Sequence, residues 1–250
     1  MARTLEIGGE ATAIGLKTYP RRLALRDHEV VLTFDDGPAP PTPKVLEALA
    51  EECVKATFFV IGEHAEAQPE MIRREAAAGH NIAHHYYSHP GGTLRLMSEA
   101  AAKADIERGM AAVEKALGQA PGAKLKTPFF RFPGFADTPE LLDWLAARDI
   151  TVFGADLWAS DWRWMSPEAE LALTLSRLEA AGGGVILFHD SKQTTAAMLP
   201  DFLRALKERG YKVVHIVPGA GPTPLEEAPA GWSSTTEPVV QRVLGGRGKS

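Results

Sequence analysis

Val30-Val31-Leu32-Thr33-Phe34-Asp35-Asp36-Gly37-Pro38 is the run from which the architecture can be read outward. Its first five residues are apolar or β-branched with no polar alternation, the pattern of a strand covered on both faces, as in a parallel sheet. It then stops in two carboxylates and a Gly-Pro turn. An open doubly wound sheet would carry a glycine-rich phosphate loop at this place, and the chain contains no G-x-G-x-x-G. The run therefore reads as the first βα unit of a barrel.

Runs of the same kind fall at 56–61, 81–84, 129–132, 151–153, 185–188 and 212–217. Helix-period stretches lie between them, near 43–52, 69–78, 98–117, 139–148, 167–181 and 197–209. Several begin with Pro, whose missing N–H costs nothing in a first helical turn. Gly79, Gly118 and Gly210 follow helical runs, as C-terminal caps do. This alternation predicts an α/β fold, an irregular (β/α) barrel with about seven parallel strands. Residues 1–29 read as an N-terminal extension and 30–217 as the barrel domain. Residues 218–250 read as a Pro/Gly-rich tail, wrapped on the surface or partly disordered, with 239–244 as a short docking segment.

The 250 residues, 45% hydrophobic and 24% charged, suit one folded domain of barrel size. A net charge of -5 and the lack of any basic run exclude nucleic acid as the main partner. The single cysteine, Cys53, excludes internal disulfides and a Cys-based zinc site, and its apolar neighbours predict a buried structural thiol. No transmembrane segment is expected, because no apolar run has the length of a membrane span. Residues 1–12 lack the basic-then-apolar layout of a signal peptide, which leaves a cytoplasmic protein or a removed leader open. A monomer is expected.

Polar residues collect at the C-terminal ends of five strand-like runs: Asp35 and Asp36; His84, His85 and His89; Arg131; Asp156 and Asp161; His189 and Asp190. In (β/α) barrels that rim is where reacting groups gather. Adjacent aspartates at a strand end point in opposite directions while strand geometry lasts, so one can ligate a metal and the other stay free as a proton acceptor. Alone, the pair is equally well a surface turn. His85 and His89, four residues apart, can share an ion if the backbone between them is helical or tightly looped. Imidazole and carboxylate together suit zinc and its neighbours. His189 reads as a general acid if a carboxylate such as Asp161 orients it, and otherwise as a capping or supporting residue. Arg131 reads as a brace for Asp35 or as one half of a structural ion pair.

Five of these runs resemble, in order, the motifs of the polysaccharide deacetylases, also called carbohydrate esterase family 4 or the NodB homology domain. They are Thr33 to Pro38, His85-Tyr86-Tyr87-Ser88-His89-Pro90, Arg131-Phe132-Pro133-Gly134, Asp161-Trp162 and Leu187-Phe188-His189. The resemblance implies a distorted barrel that hydrolyses acetyl groups from sugars. It implies that Asp36, His85 and His89 hold one divalent metal, zinc first, with cobalt or nickel also compatible. Asp35 would then be the general base, His189 the general acid, Asp161 its orienting partner and Arg131 the brace of Asp35. Trp162, Gly134 and Leu187 would line the substrate, an acetylated glycan of peptidoglycan or chitin type. A periplasmic or secreted location is preferred on family grounds alone.

Sugars stack on aromatic rings, so Trp158 and Trp164 read equally as sugar contacts or core, and Phe132, Phe135 and Tyr87 more weakly as contacts. Two positions depart from the family pattern. Tyr86 stands where a Ser or Thr usually shapes the metal loop, and Phe132 and Gly134 alter the third motif. Two alternatives therefore stay open: a relative that hydrolyses a small amide, and a non-catalytic carbohydrate-binding protein.

Overall fold

The computed structural model describes residues 3–10, 12–89 and 94–247; Pro90 of the quoted His-x-x-x-His run lies outside them. The strands are β1 (Arg3–Ile7), β2 (Ala13–Ile14), β3 (Arg21–Leu23), β4 (Glu29–Asp35), β5 (Thr57–Val60), β6 (Asn81–His84), β7 (Phe129–Phe130), β8 (Thr151–Phe153), β9 (Leu157–Trp158), β10 (Gly184–His189), β11 (Lys212–Pro218) and β12 (Leu225–Glu227). The helices are α1 (Thr42–Glu51), α2 (Gly62–Ala67), α3 (Pro69–Ala77), α4 (Glu99–Ala116), α5 (Pro139–Ala146), α6 (Pro167–Ala181), α7 (Gln193–Glu208) and α8 (Glu237–Arg247). No helix among the described residues is long and apolar enough to cross a membrane.

β4 is central. One of its edges pairs in parallel with β10 over residues 30–35; the other takes β11 at 29–30 and then β5 at 33–35. From β5 the parallel order runs through β6, β7 and β8 to β2, while β9 flanks β10. β11 thus splays away with β1, and this is what makes the barrel irregular. Residues 3–7 and 13–14, set apart by their sequence as an extension, supply the two strands that pair with β11 and β8.

The seam between the β8 and β10 sides is bridged by Asp156, whose Oδ1 and Oδ2 accept the backbone N–H of Leu16 and of Val185 at 2.9 and 2.8 Å. Asp156 therefore closes the wall and does not join the rim chemistry.

Alternation along each strand sorts the core into two layers. Val30, Leu32, Phe34, Phe58, Ile82, Ile186 and Phe188 face outward onto the helices. Val31, Phe59, Ala83, Phe129, Phe153 and Val185 fill the barrel. With that parity the residues two or four positions on, among them Asp35, His85, Arg131 and His189, are directed to the lumen at its C-terminal mouth. Gly79, Gly118 and Gly210 have φ of 83°, 78° and 76°, the left-handed conformation that ends a helix. Cys53 departs from expectation. It is exposed, at φ 52° in the turn that ends α1, while Leu49 and Val54 on either side of the turn take the buried positions.

Candidate active site

Asp35 ends β4 and Asp36 has already left it. With φ of 72°, Asp36 breaks the strand alternation, so both carboxylates face the mouth instead of diverging as an unbroken strand would make them. Two contacts from α2 and its C-terminal cap hold this turn. His64 Nδ1 donates to the Asp36 carbonyl at 2.8 Å and Gln68 Nε2 donates to that of Pro38 at 2.9 Å. Beneath it, a Cβ on Gly37 would lie 2.0 Å from Asp190 Oδ2, so only glycine lets the turn close onto that buried carboxylate.

Asp36 Oδ1 lies 3.4 Å from His85 Nε2 and 3.5 Å from His89 Nε2. One ligand atom from each residue lies within 4.8 Å of the others. His85 Nδ1 stands 2.8 Å from the Arg131 carbonyl, which can only accept. Nδ1 therefore carries the proton, and the Nε2 lone pair is presented to the other two ligands. Burial pushes the Asp36 carboxyl upward, but the neighbouring His85 first, and then the charges of His189 and His89, hold it well below the usual range. Burial and then the His85 charge lower His89. His84, by the same alternation, faces away onto Glu114 at 3.6 Å, and burial holds it down to about 4; it takes no part.

Arg131 is fully buried in the lumen beneath Asp35. Its Nη1 donates to Asp35 Oδ1 at 2.7 Å and to Thr33 Oγ1 at 2.8 Å, while Nε and Nη2 donate to the carbonyls of Phe153 and Gly154. The guanidinium also lies over the Phe59 ring, 4.2 Å from its centre. Every polar edge is engaged, so the charge-assisted bond holds Asp35 in one rotamer.

Across the mouth, His189 Nδ1 donates to Asp161 Oδ1 at 2.7 Å, and the His189 backbone N–H donates to Asp161 Oδ2 at 2.6 Å. His189 Nε2 points back toward Asp36 Oδ2, 3.8 Å away. Burial opposes protonation of this ring, yet the charge and hydrogen bond of Asp161, then Asp36 and Asp35, push it up to about 9. Behind Asp161, the Thr195 hydroxyl stands 2.8 Å from Asp161 Oδ2 and 2.9 Å from Glu170 Oε1. Burial first, and then the Asp161 charge, raise Glu170 to about 7.

All of this opens on one cleft of about 350 Å³, whose walls include Gly134, Phe135, Trp158, Trp162 and Leu187.

A family profile described as polysaccharide deacetylase matches residues 23–153. A chitooligosaccharide deacetylase from Sinorhizobium fredii is 33% identical over 212 residues, covering 78% of this chain and 93% of its own. The chain belongs to the polysaccharide deacetylase family. Among solved structures, a peptidoglycan deacetylase from Bdellovibrio bacteriovorus superposes with a TM-score of 0.72 at 32% identity, over 86% of this chain and 61% of that one. The present chain thus spans about three-fifths of that protein's length. A family 4 carbohydrate esterase from Streptomyces lividans, solved in complex with acetate, matches with a TM-score of 0.63 at 31% identity, over 80% of this chain and 97% of its own.

Within this polysaccharide deacetylase the atypical Tyr86 does not crowd the site. At φ 108° its side chain turns into the outer core, 1% exposed, where its ring stacks on Phe130 at 5.6 Å and meets Phe132 edge-on. The loop is held instead by Asp105 of α4. Its Oδ2 accepts the backbone N–H of Tyr87 and Ser88 at 3.2 and 3.4 Å, and its Oδ1 accepts the Ser88 hydroxyl at 2.8 Å. Gly109 makes that approach possible, since a Cβ there would come 2.3 Å from the Tyr86 carbonyl carbon. Trp162 is half exposed at the cleft edge and meets both Trp158 and His189 edge-on, whereas Trp164 is fully exposed and does not line the cleft.

Asp105, His64, Thr195 and Thr236 escaped the sequence reading, and Val239 entered it only as the start of a docking segment. No motif marks them, and only the tertiary fold brings them to the mouth.

Proposed function

We propose that this chain is a metal-dependent deacetylase that frees the amine of N-acetylglucosamine units in peptidoglycan- or chitin-type glycans. The observation that carries the reading is the pairing of a complete ligand triad with an acid–base pair, buried Asp35 and partly buried His189, around one cleft.

The residues fit a divalent ion. Asp36 Oδ1 is buried with no hydrogen-bond partner among the described residues, and it faces two imidazole nitrogens, one of them fixed as a lone pair. Two His and one carboxylate suit zinc, with cobalt or nickel as close substitutes. Held by Asp36, His85 and His89, such an ion supplies Lewis-acid polarisation of the acetyl carbonyl and acidifies water.

The chain's own groups supply the rest. Asp35, braced by Arg131, removes a proton from the water that attacks the acetyl carbon. Pro133 has no N–H, and that of Phe135 is spent on the Phe132 carbonyl at 2.9 Å. Gly134, at φ 59° with open space beside it, is the backbone donor in this loop for the developing oxyanion. His189 delivers its proton to the departing nitrogen as the C–N bond breaks, which gives acetate and a free sugar amine.

Two relatives support the choice of substrate: a chitooligosaccharide deacetylase and a peptidoglycan deacetylase. The test is acetate release from N-acetylglucosamine oligomers. Chelation should abolish it and added Zn²⁺ or Co²⁺ restore it; turnover indifferent to chelator would refute the metal assignment.

Asp105→Ala should weaken metal binding about 10–100-fold, the usual cost of removing an outer support of a ligand. Titration calorimetry of the metal-free variant measures this, and unchanged affinity would show that the loop holds its shape without Asp105.

A further inference from the structure

The C-terminal segment returns to the mouth of the barrel and is anchored there at several points. β12 pairs with β3, and Trp232 Nε1 donates to the Leu16 carbonyl at 2.8 Å. The backbone N–H groups of Thr235 and Thr236 both donate to the Lys17 carbonyl, at 2.8 and 3.1 Å. Arg95 then grips the first residue of α8, with Nη1 and Nη2 donating to the two carboxylate oxygens of Glu237 at 2.8 Å each. The outcome is that Thr236 and Val239 form part of the same cleft as Asp36, His189 and Trp162.

The exposed large apolar side chains add a second observation. Among the described residues they are Leu96, Trp162, Trp164, Val239 and Val243. They fall into two groups: the tryptophan loop after β9, and α8 with the neighbouring Leu96. Trp162 and Val239 both bound the cleft, so an aromatic edge and an aliphatic edge share its mouth. At about 350 Å³ the cleft lies near the lower end of the roughly 300–1,000 Å³ range of small-molecule sites, room for a sugar or two.

Resting on the deacetylase reading above, we propose that α8 is a selecting wall. It makes the site a pocket for the terminal N-acetylglucosamine of a short oligosaccharide and obstructs a continuous polymer. The sugar lies against the Trp162 side, while Thr236 and Val239 stop the glycan from running past the ion site in the other direction. Glu237 acts as a positioning residue, because it touches Arg95 and not the cleft.

The experiment compares kcat/KM on N-acetylglucosamine tetramer with that on soluble glycol chitin, and maps by mass spectrometry which unit of the tetramer loses its acetyl group. The unaltered protein should prefer the tetramer and free the amine of one terminal unit. Glu237→Ala, which releases the start of α8, should raise the polymer-to-tetramer ratio about tenfold, through KM for the polymer, and spread deacetylation to internal units. Glu237→Gln keeps a hydrogen-bond acceptor for Arg95 and should restore most of the original pattern. Val239→Trp, which narrows the mouth, should shift the ratio further toward the tetramer.

Equal rates on tetramer and polymer, or internal deacetylation by the unaltered protein, would overturn the wall. So would a ratio that none of the three variants moves. Failure of the deacetylase reading looks different: no acetate would then be released from either glycan by the metal-loaded protein.

Discussion

Asp35→Asn is expected to lower kcat for deacetylation by about 10²–10⁴, the range that a positioned general base contributes, while the metal stays bound. The two halves of this result come from the parity of β4. Asp35 ends the strand directed into the lumen, where Arg131 holds it at 2.7 Å, whereas Asp36 has turned off the strand to meet His85 and His89. The substitution is nearly isosteric, and the Asn oxygen goes on accepting from Arg131. It does leave the fully buried guanidinium without its counter-charge. Removing one partner of a buried pair costs about 3–5 kcal/mol, and the surviving hydrogen bond places the loss at or below the low end. Thermal unfolding should therefore register a drop that remains small enough for a folded protein at 25 °C. Metal content by elemental analysis separates the roles: full occupancy with lost turnover assigns the base to Asp35. Near-normal turnover would place the base elsewhere, and lost metal would mean that Asp35 belongs to the ligand set.

The barrel was legible because β4, β5 and β10 are covered on both faces and so read as largely apolar runs. β2, β3 and β9 have two or three residues each, too few for any periodicity, and form because neighbouring strands offer free edges. The tail was legible only in part. Its Pro, Gly, Ser and Thr composition reads equally as a surface wrap or as partly disordered chain, and only backbone bonds to Lys17 and the Arg95–Glu237 pair, invisible to composition, order it against the mouth. In the site, the His85–His89 spacing was informative although the segment is a tight loop and not a helix. What the spacing could not reveal is how that loop is held. Asp105 sits on a long helix, where an acidic residue ordinarily faces water, and only the close approach allowed by Gly109 turns it into a clamp. Tyr86 looked obstructive because sequence gives no direction to a side chain. Its φ of 108° sends the ring outward, away from the ion site.

His189→Ala should separate amide from ester chemistry. An amine cannot leave as an anion, so loss of the acid should slow release from N-acetylglucosamine oligomers by about 10²–10⁴. An aryl acetate, whose phenolate departs unaided, should lose far less. The variant should fold, since Asp161 still accepts from the residue-189 backbone N–H and from Thr195. The pH dependence follows from the same geometry. The Asp161 charge and hydrogen bond, with Asp36 and Asp35, overcome burial and raise the His189 ring to about 9. The proton it must donate is therefore present at neutral pH and lost as pH rises through that value. A divalent ion on Asp36 cancels part of this field, which sets the alkaline limb at or below about 9. The amide rate of the unaltered protein should fall along that limb, and His189→Ala should lack it. An alkaline limb that persists unchanged in the variant, or equal losses on amide and aryl ester, would assign the leaving-group proton to another donor.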